Sequence, residues 1–212
     1  MNYQDEWLLY EAGDEIDEAY HRQPTEEFLF YEAVANGNVE AVKKNCEAAR
    51  FTESEGVGVL SRNPVTNLKY HFVITTAMIA RLCRQNGMEL EQAFGLSDFY
   101  IQKLDDIHTV EGVQSLHDEM VIDYAEKMRR YLSRLFKKET GISVSAYIRE
   151  QKIEIAKNLL RYSDYSMIDI ANRLSFSSQS HFIQQFREAV GMTPKKYRDE
   201  HYMVQWETNE SK

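Results

Sequence analysis

The chain has 212 residues, of which 43% are hydrophobic and 28% are charged, and its formal net charge is −9. This composition is typical of a folded chain rather than a disordered one, and the length allows one or two domains. Two cysteines, Cys46 and Cys83, lack CxxC spacing, which excludes a zinc ribbon or a disulfide framework and suits a reducing compartment. The acidic start does not resemble a secretory signal and no uncharged run is as long as a membrane span, so we expect a cytoplasmic protein without membrane contact.

The charge is divided unevenly along the chain. Residues 1–120 contain 9 basic and 22 acidic residues, whereas residues 121–212 contain 16 basic and 12 acidic residues. Because an acidic surface repels phosphate, any binding of nucleic acid is expected in the C-terminal part.

The N-terminal part has helical patterns and no run of strand-like alternation. Residues 28–51 predict two short helices that break at Asn36-Gly37-Asn38, and residues 67–88 predict a long buried helix that Gly87 ends. Residues 90–107 predict more helix, and residues 110–130 predict a long amphipathic helix. We therefore predict a helical domain at residues 1–128. Its aromatic residues are expected to be core rather than a ligand cage, namely Phe28, Phe30, Tyr31, Tyr70 and Phe72.

One pattern occurs twice in the C-terminal part, fifty residues apart. Residues 131–149, YLSRLFKKETGISVSAYIR, match residues 181–199, HFIQQFREAVGMTPKKYRD. Each copy has the layout of a recognition helix: apolar residues four apart on one face, basic or amide residues on the other, and then a glycine that ends the helix. The repeat therefore indicates DNA binding.

The segments that precede the two copies differ. Ahead of the second copy, Ser166 and Asp169 can cap a helix, and residues 175–178 can form a turn. The apolar face of that helix is predicted at Ile168, Ala171 and Leu174. This is a helix-turn-helix arrangement. Ahead of the first copy, residues 119–130 have no turn residue, so we predict one unbroken helix that continues into the copy.

Residues 131–198 resemble the DNA-binding domain of AraC/XylS-type transcriptional regulators. The resemblance rests on LSRLFKKETG, on YIREQKIEIAKNLL and on DIANRLSFSSQSHFIQQFREAVGMTPKKYR. It implies an all-α protein in which a long helix joins the helical N-terminal domain, residues 1–128, to a homeodomain-like helix-turn-helix domain at residues 129–200. It also implies that the N-terminal domain serves regulation and dimerisation. A polar tail follows at residues 201–212.

Regulators of this family carry two helix-turn-helix units, and the resemblance implies that the first is only partial here. It is expected at residues 129–142, followed by a linker helix at 143–163 and the second unit at 164–198. Roughly forty residues of the family pattern are absent between Arg130 and Tyr131, since a whole unit should match the length of the second one.

The resemblance also implies which side chains contact DNA. Base-facing positions in the second unit are Gln179, Ser180, His181 and Gln184; a glutamine can pair with adenine through two hydrogen bonds. Phe182 and Phe186 lie on the opposite face and should be core. Phosphate contacts are expected from Arg187, Lys195, Lys196 and Arg198. In the first unit the DNA-facing positions are Arg130, Ser133 and Arg134, although the helix and turn that should orient them are missing.

The function that the resemblance implies is sequence-specific transcriptional regulation, weakened by the partial first unit. The partners would be double-stranded DNA, a second copy of the chain and an unidentified small-molecule effector. The alternative is a helical interaction protein that does not bind DNA and pairs with intact relatives. No enzyme and no cofactor are expected, because GxSxG and glycine-rich phosphate loops are missing. No metal site is expected either, because the spacing of His71, His108 and His117 does not suit metal ligands.

Overall fold

The computed structural model describes residues 2–12, 24–52 and 58–203. These ranges contain α-helices, one short 3-10 helix at Leu104–Asp106 and no strand, so the all-α prediction is confirmed. None of the described helices is long and apolar enough to cross a membrane. The predicted polar tail lies outside the described residues from position 204 onward. The helices are α1 Tyr3–Ala12, α2 Pro24–Ala35, α3 Val39–Glu47, α4 Pro64–Gln85, α5 Leu90–Lys103, α6 Val110–Thr140, α7 Val144–Tyr162, α8 Met167–Arg173, α9 Gln179–Val190 and α10 Pro194–His201.

The chain forms two compact units, residues 1–134 and residues 135–212, and the division falls within α6. Each unit has its own hydrophobic core. We call them the N-terminal unit and the C-terminal unit. The domain limits inferred from the sequence, 1–128 and 129–200, stay a prediction.

The break between α2 and α3 confirms the predicted turn. Asn38 caps α3 by accepting a hydrogen bond from the backbone N–H of Ala41 at 3.2 Å. Gly37 has a positive φ of 67°, and a Cβ built on it would lie 2.5 Å from the backbone nitrogen of Arg129. Only glycine therefore allows this turn to lie against α6.

The core of the N-terminal unit is formed largely by α2, α4 and α6. Phe72 of α4 and Tyr124 of α6 are fully buried, and the Tyr124 hydroxyl donates to the carbonyl oxygen of Ala93 at 2.6 Å. Of the aromatic residues expected in the core, Tyr31 and Phe72 are buried, whereas Phe28 is 46% and Tyr70 is 50% exposed. Two residues rotate a helix by about 200°, so Tyr70 points away from the core that Phe72 enters.

The long helix α6 confirms that no turn interrupts the chain between Arg130 and Tyr131. Its buried face extends to Met128, and the next apolar residues, Tyr131 and Leu132, pack against the same core. The start of the first repeat copy is therefore part of the N-terminal unit.

The C-terminal unit packs α7 to α10 around one core. Its buried residues are Ile153, Ala156, Leu160, Ile170, Ala171, Phe182, Phe186 and Tyr197. The predicted apolar face of α8 was partly wrong, because Ile168 is 53% exposed and Ile170 is fully buried. The two residues are about 200° apart around the helix, so they cannot share a face.

Candidate nucleic-acid interface

The start of α8 is fixed by a capping box. The Asp169 N–H donates to the Ser166 hydroxyl oxygen at 3.1 Å, and the Ser166 N–H donates to the Asp169 carboxylate at 3.3 Å. This confirms the cap predicted from the sequence. Such a cap contributes about 0.5–2 kcal/mol by satisfying N–H groups that the helix itself leaves unpaired.

The turn between α8 and α9 has the hydrogen bonds of a Schellman motif. Ser175 has a φ of +53°, its N–H donates to the Asn172 carbonyl at 3.0 Å, and the Phe176 N–H donates to the Ala171 carbonyl at 2.9 Å. Glycine is the usual residue at this position, because a side chain in the left-handed region is strained.

The linker helix α7 holds the same turn through Lys152. Its Nζ donates to the Ser175 carbonyl at 3.0 Å and lies 5.2 Å from the centroid of the Phe176 ring. The turn that orients α9 is thus fixed from two directions: by backbone hydrogen bonds to α8 and by a side chain of α7.

Aromatic packing sets the rotation of α9 about its axis. Phe182 and Phe186 are fully buried, which confirms their predicted place in the core. The Phe182 ring lies 5.3 Å from that of Phe176 and 5.8 Å from that of Phe186, measured between centroids. Because these rings point inward, the opposite face of α9 is exposed.

Three of the four predicted base-facing residues, Ser180, His181 and Gln184, lie toward that exposed face, whereas Gln179 is exposed as the first residue of α9. Gln179, Ser180, His181 and Gln184 are all exposed. His181 Nδ1 lies 2.9 Å from the Ser177 hydroxyl, and the Gln184 amide donates to the Glu188 carboxylate at 2.9 Å. The structure places the four side chains on the first two turns of one helix; their role in DNA contact stays a prediction.

The predicted phosphate contacts differ in accessibility. Arg187, Lys195 and Lys196 are exposed, and the Nζ of Lys196 lies 3.7 Å from the carboxylate of Glu200. Arg198 is half-buried and donates to the Tyr165 carbonyl. It ties α10 to the segment before α8, so its guanidinium is already partly committed within the unit.

The three residues assigned to the first unit lie elsewhere. Arg130, Ser133 and Arg134 are exposed on α6, in the N-terminal unit, and they line a groove of about 710 Å³. The other lining residues are Gln92, Lys127 and Arg129. Sequence reasoning missed these three, although the fifty-residue repeat aligns Arg129 with Gln179 and so contained a signal for one of them.

One buried cluster near the N-terminal core contains groups that could suggest catalysis. His117 Nδ1 lies 3.1 Å from the Asp118 carboxylate, and the His117 ring stacks on Phe51 at 3.7 Å. Burial lowers the pKa of His117, while burial and the Asp118 charge raise the pKa of the Cys46 thiol to about 12. The thiol is therefore protonated at neutral pH and is a poor nucleophile. In the residues that the structure describes, no group of His, Cys, Asp or Glu side chains could hold a metal ion.

Comparison with known proteins defines the class of the C-terminal region. Residues 122–200 match the family model described as a helix-turn-helix domain. Regulatory protein PocR of Salmonella typhimurium is 41% identical over 70 residues, which cover 33% of this chain and 23% of PocR. The HTH-type transcriptional activator RhaR of Yersinia pestis is 41% identical over 71 residues, which cover 34% of this chain and 24% of RhaR. Bacillus subtilis YtdP, an uncharacterized HTH-type transcriptional regulator, is 40% identical over 70 residues, which cover 33% of this chain and 9% of YtdP.

Residues 122–200 therefore carry a helix-turn-helix domain, in agreement with the resemblance of residues 131–198 to the DNA-binding domain of AraC/XylS-type regulators. These relatives are transcriptional regulators rather than enzymes. The matched segments span about a quarter of the length of PocR and RhaR. A solved structure, that of the xylose-binding transcription activator xylR, is 21% identical, covers 70% of this chain and 30% of that chain, and has a TM-score of 0.33.

Proposed function

We propose that the chain is a cytoplasmic, DNA-binding transcriptional regulator, not an enzyme, and that its second helix-turn-helix unit makes the base contacts. The observation that supports this most directly is the geometry of α9. Its aromatic residues are locked in the core, and its first two turns present Gln179, Ser180, His181 and Gln184 to solvent. The major groove admits an α-helix, and glutamine, serine and histidine can hydrogen-bond to base edges there.

Phosphate contacts then fix the position of α9 on the duplex. Arg187 follows the base-facing residues on α9, and Lys195 and Lys196 are exposed on the first turn of α10. Such contacts set the register and orientation of the protein without reading sequence. Arg198 is also assigned to phosphate, with the weakest contact of the four because it already donates to Tyr165.

The N-terminal unit supplies the regulatory part of this function. One intact unit buries too little surface for selective binding, and symmetric pairing is the usual remedy, so we propose a homodimer. A small-molecule effector bound to the N-terminal unit would control the regulator. Sedimentation of a monomer at tens of micromolar, with and without DNA, would contradict the pairing.

A fluorescence-anisotropy titration of the full chain tests the base contacts. A preferred site is first selected from a mixed DNA pool, and both this site and random DNA are titrated at two salt concentrations. Gln179→Ala should weaken binding to the preferred site by about 1–3 kcal/mol and leave random DNA nearly unchanged. Lys196→Ala should weaken both alike and flatten the salt dependence. Equal losses on both DNAs for both variants would contradict base reading by α9.

A second candidate function is that of an interaction protein that pairs with intact relatives and spoils their DNA binding. It is favoured by the outer face of α7, where Ile148, Ile155 and Tyr162 are spaced by seven residues and are 48%, 48% and 52% exposed. They lie outside both hydrophobic cores of the described residues. The test is to add this chain to an intact regulator on its DNA site. Displacement without any DNA binding by the chain itself would favour this candidate over the first.

A further inference from the structure

We infer that the groove on the N-terminal unit binds a small organic anion that carries two or more phosphate or carboxylate groups. We call it the basic groove; it is lined by Gln92, Lys127, Arg129, Arg130, Ser133 and Arg134 and has a volume of about 710 Å³. The inference names a site and a ligand chemistry for the effector of the proposed function. It concerns anion binding alone, so it can fail while DNA binding by α9 stands.

The helix α6 brings the cations together by its periodicity. Lys127, Arg130 and Arg134 are three and four residues apart and therefore form one stripe along the helix. The inward face next to this stripe is fixed by Met128, which is fully buried in the core of the N-terminal unit. The opposite wall of the groove includes Gln92, which lies in the first turn of α5.

Three of the four cations that line the basic groove, Arg129, Arg130 and Arg134, make no ion pair with another described residue. In the part of the chain that the structure describes, Lys127 is the one lining cation in an ion pair, with Asp123 at 2.5 Å. Like charges one turn apart on a helix destabilise it. The repulsion between these unpaired guanidinium groups would be relieved by an external anion. Arginine is suited to such a ligand, because it binds phosphate and carboxylate through two parallel hydrogen bonds. The Ser133 hydroxyl and the Gln92 amide add neutral hydrogen-bonding groups.

Size and shape favour a small molecule over a DNA backbone. A volume of about 710 Å³ falls within the range of roughly 300–1,000 Å³ that is usual for small-molecule sites. The major groove accepts a protruding helix, whereas this surface is concave.

The net negative charge around the basic groove also favours a small anion over DNA. Residues 1–120, which form most of the N-terminal unit, contain 22 acidic and 9 basic residues. A duplex would meet that negative field over many ångströms. A small anion in the groove is affected mainly by charges within about 8 Å, the screening length at physiological salt.

Isothermal titration calorimetry with the full chain tests the site. The probes are pyrophosphate, citrate and fructose 1,6-bisphosphate, each at the same ionic strength as a sodium chloride control. At least one probe should bind saturably with one site per chain. The double variant Arg130→Gln with Arg134→Gln should weaken that binding at least tenfold, because it removes two cations without changing side-chain length greatly. The matched control is Arg81→Gln, an exposed arginine of α4 outside the groove, which should bind as the wild type does.

Two further measurements test the charge repulsion in the groove and its independence from the DNA contacts of α9. Without any probe and at low salt, the double variant should have a Tm higher by roughly 1–2 °C, because repulsion between like charges is relieved. Gln179→Ala should leave anion binding unchanged, which separates this site from the DNA contacts of α9. The inference is overturned if no probe binds at millimolar concentration, if binding is no stronger than the chloride control, or if the double variant loses affinity for a random duplex but not for the probes.

Discussion

The two copies of the repeated segment, residues 131–149 and 181–199, end in the same local structure. Gly141 and Gly191 stop their helices with φ values of +79° and +81°. The next helix is capped by Ser143 in one copy and by Thr193 in the other, with hydrogen bonds of 3.2 and 3.3 Å. The aromatic pair also recurs, because ring centroids are 5.6 Å apart in the first copy and 5.4 Å apart in the second.

The copies differ in burial. Phe186 is fully buried and Tyr197 is 4% exposed, whereas Tyr147, the counterpart of Tyr197, is 43% exposed. The second copy is preceded by α8 and a turn, which pack against it. The first copy begins within α6 and is preceded only by the earlier part of that same helix. Leu132, the counterpart of Phe182, instead packs against the N-terminal core. Short-range sequence is therefore enough to form caps and turns, while the core of a recognition unit depends on the helix and turn that precede it.

The largest effect that follows from this difference concerns the matched phenylalanines. Phe186→Ala should cost about 3–5 kcal/mol of unfolding free energy, the usual loss for a fully buried phenylalanine. Phe136→Ala should cost about 1 kcal/mol, because Phe136 is half-buried and its ring contact is with the exposed Tyr147. Urea unfolding followed by circular dichroism measures both. Equal losses would mean that the first copy is packed as tightly as the second.

DNA affinity is the next test of the comparison. His181→Ala should weaken binding to a preferred site by about 1–3 kcal/mol. Arg134→Ala should change it much less, since no helix and turn orient the first copy. Specific affinity of the whole chain should then lie nearer the ~10⁻⁴–10⁻⁶ M of non-specific binding than the ~10⁻⁸–10⁻¹¹ M of intact specific binders. Nanomolar binding that disappears in Arg134→Ala would show that the first copy functions despite its missing helix.

Local features of this fold were predictable from sequence because each depends on a few neighbouring residues. The Ser166–Asp169 cap, the break at Gly37 and the uninterrupted course of α6 were all predicted, and all are present. The outward orientation of Ile168 was missed. The face of a seven-residue helix is set by what it packs against, here Phe182 and Phe186.

Of the two candidate sites, the exposed face of α9 was predictable from sequence and the basic groove was not. The exposed face of α9 follows from the spacing of its phenylalanines. The basic groove does not, because Gln92 approaches α6 only through the packing of α5, more than thirty residues away in sequence. A pattern along the chain does not reveal such a contact between separate helices.

The two helix caps that the copies share should respond alike. Ser143→Ala and Thr193→Ala should each cost about 0.5–2 kcal/mol, because each removes the acceptor for one N–H of the following helix. Unfolding free energies from urea titrations of the two variants are compared directly. A cap that matters in the second copy and not in the first would show that even the shared local structure depends on surrounding packing.

The smallest expected effect concerns Ser175, in the turn that the first copy lacks. Its φ of +53° strains a residue with a side chain, so Ser175→Gly should relieve about 1 kcal/mol. Glycine also gives the unfolded chain more freedom, which removes roughly 0.5–1 kcal/mol of that gain, so the net change should be a stabilisation below about 0.5 kcal/mol.

Variants that replace glycine by alanine at equivalent positive-φ positions provide a comparison of opposite sign for this small effect. At Gly141 and Gly191 an added Cβ would meet no atom within 4 Å, so alanine there adds backbone strain without a clash. Gly141→Ala and Gly191→Ala should each lose about 1 kcal/mol. The sign at Ser175 should thus oppose the sign at both glycines, and urea midpoints of the three variants in one titration series test this. If Ser175→Gly loses as much stability as the alanine variants, the serine side chain must stabilise the turn in a way that outweighs its strain.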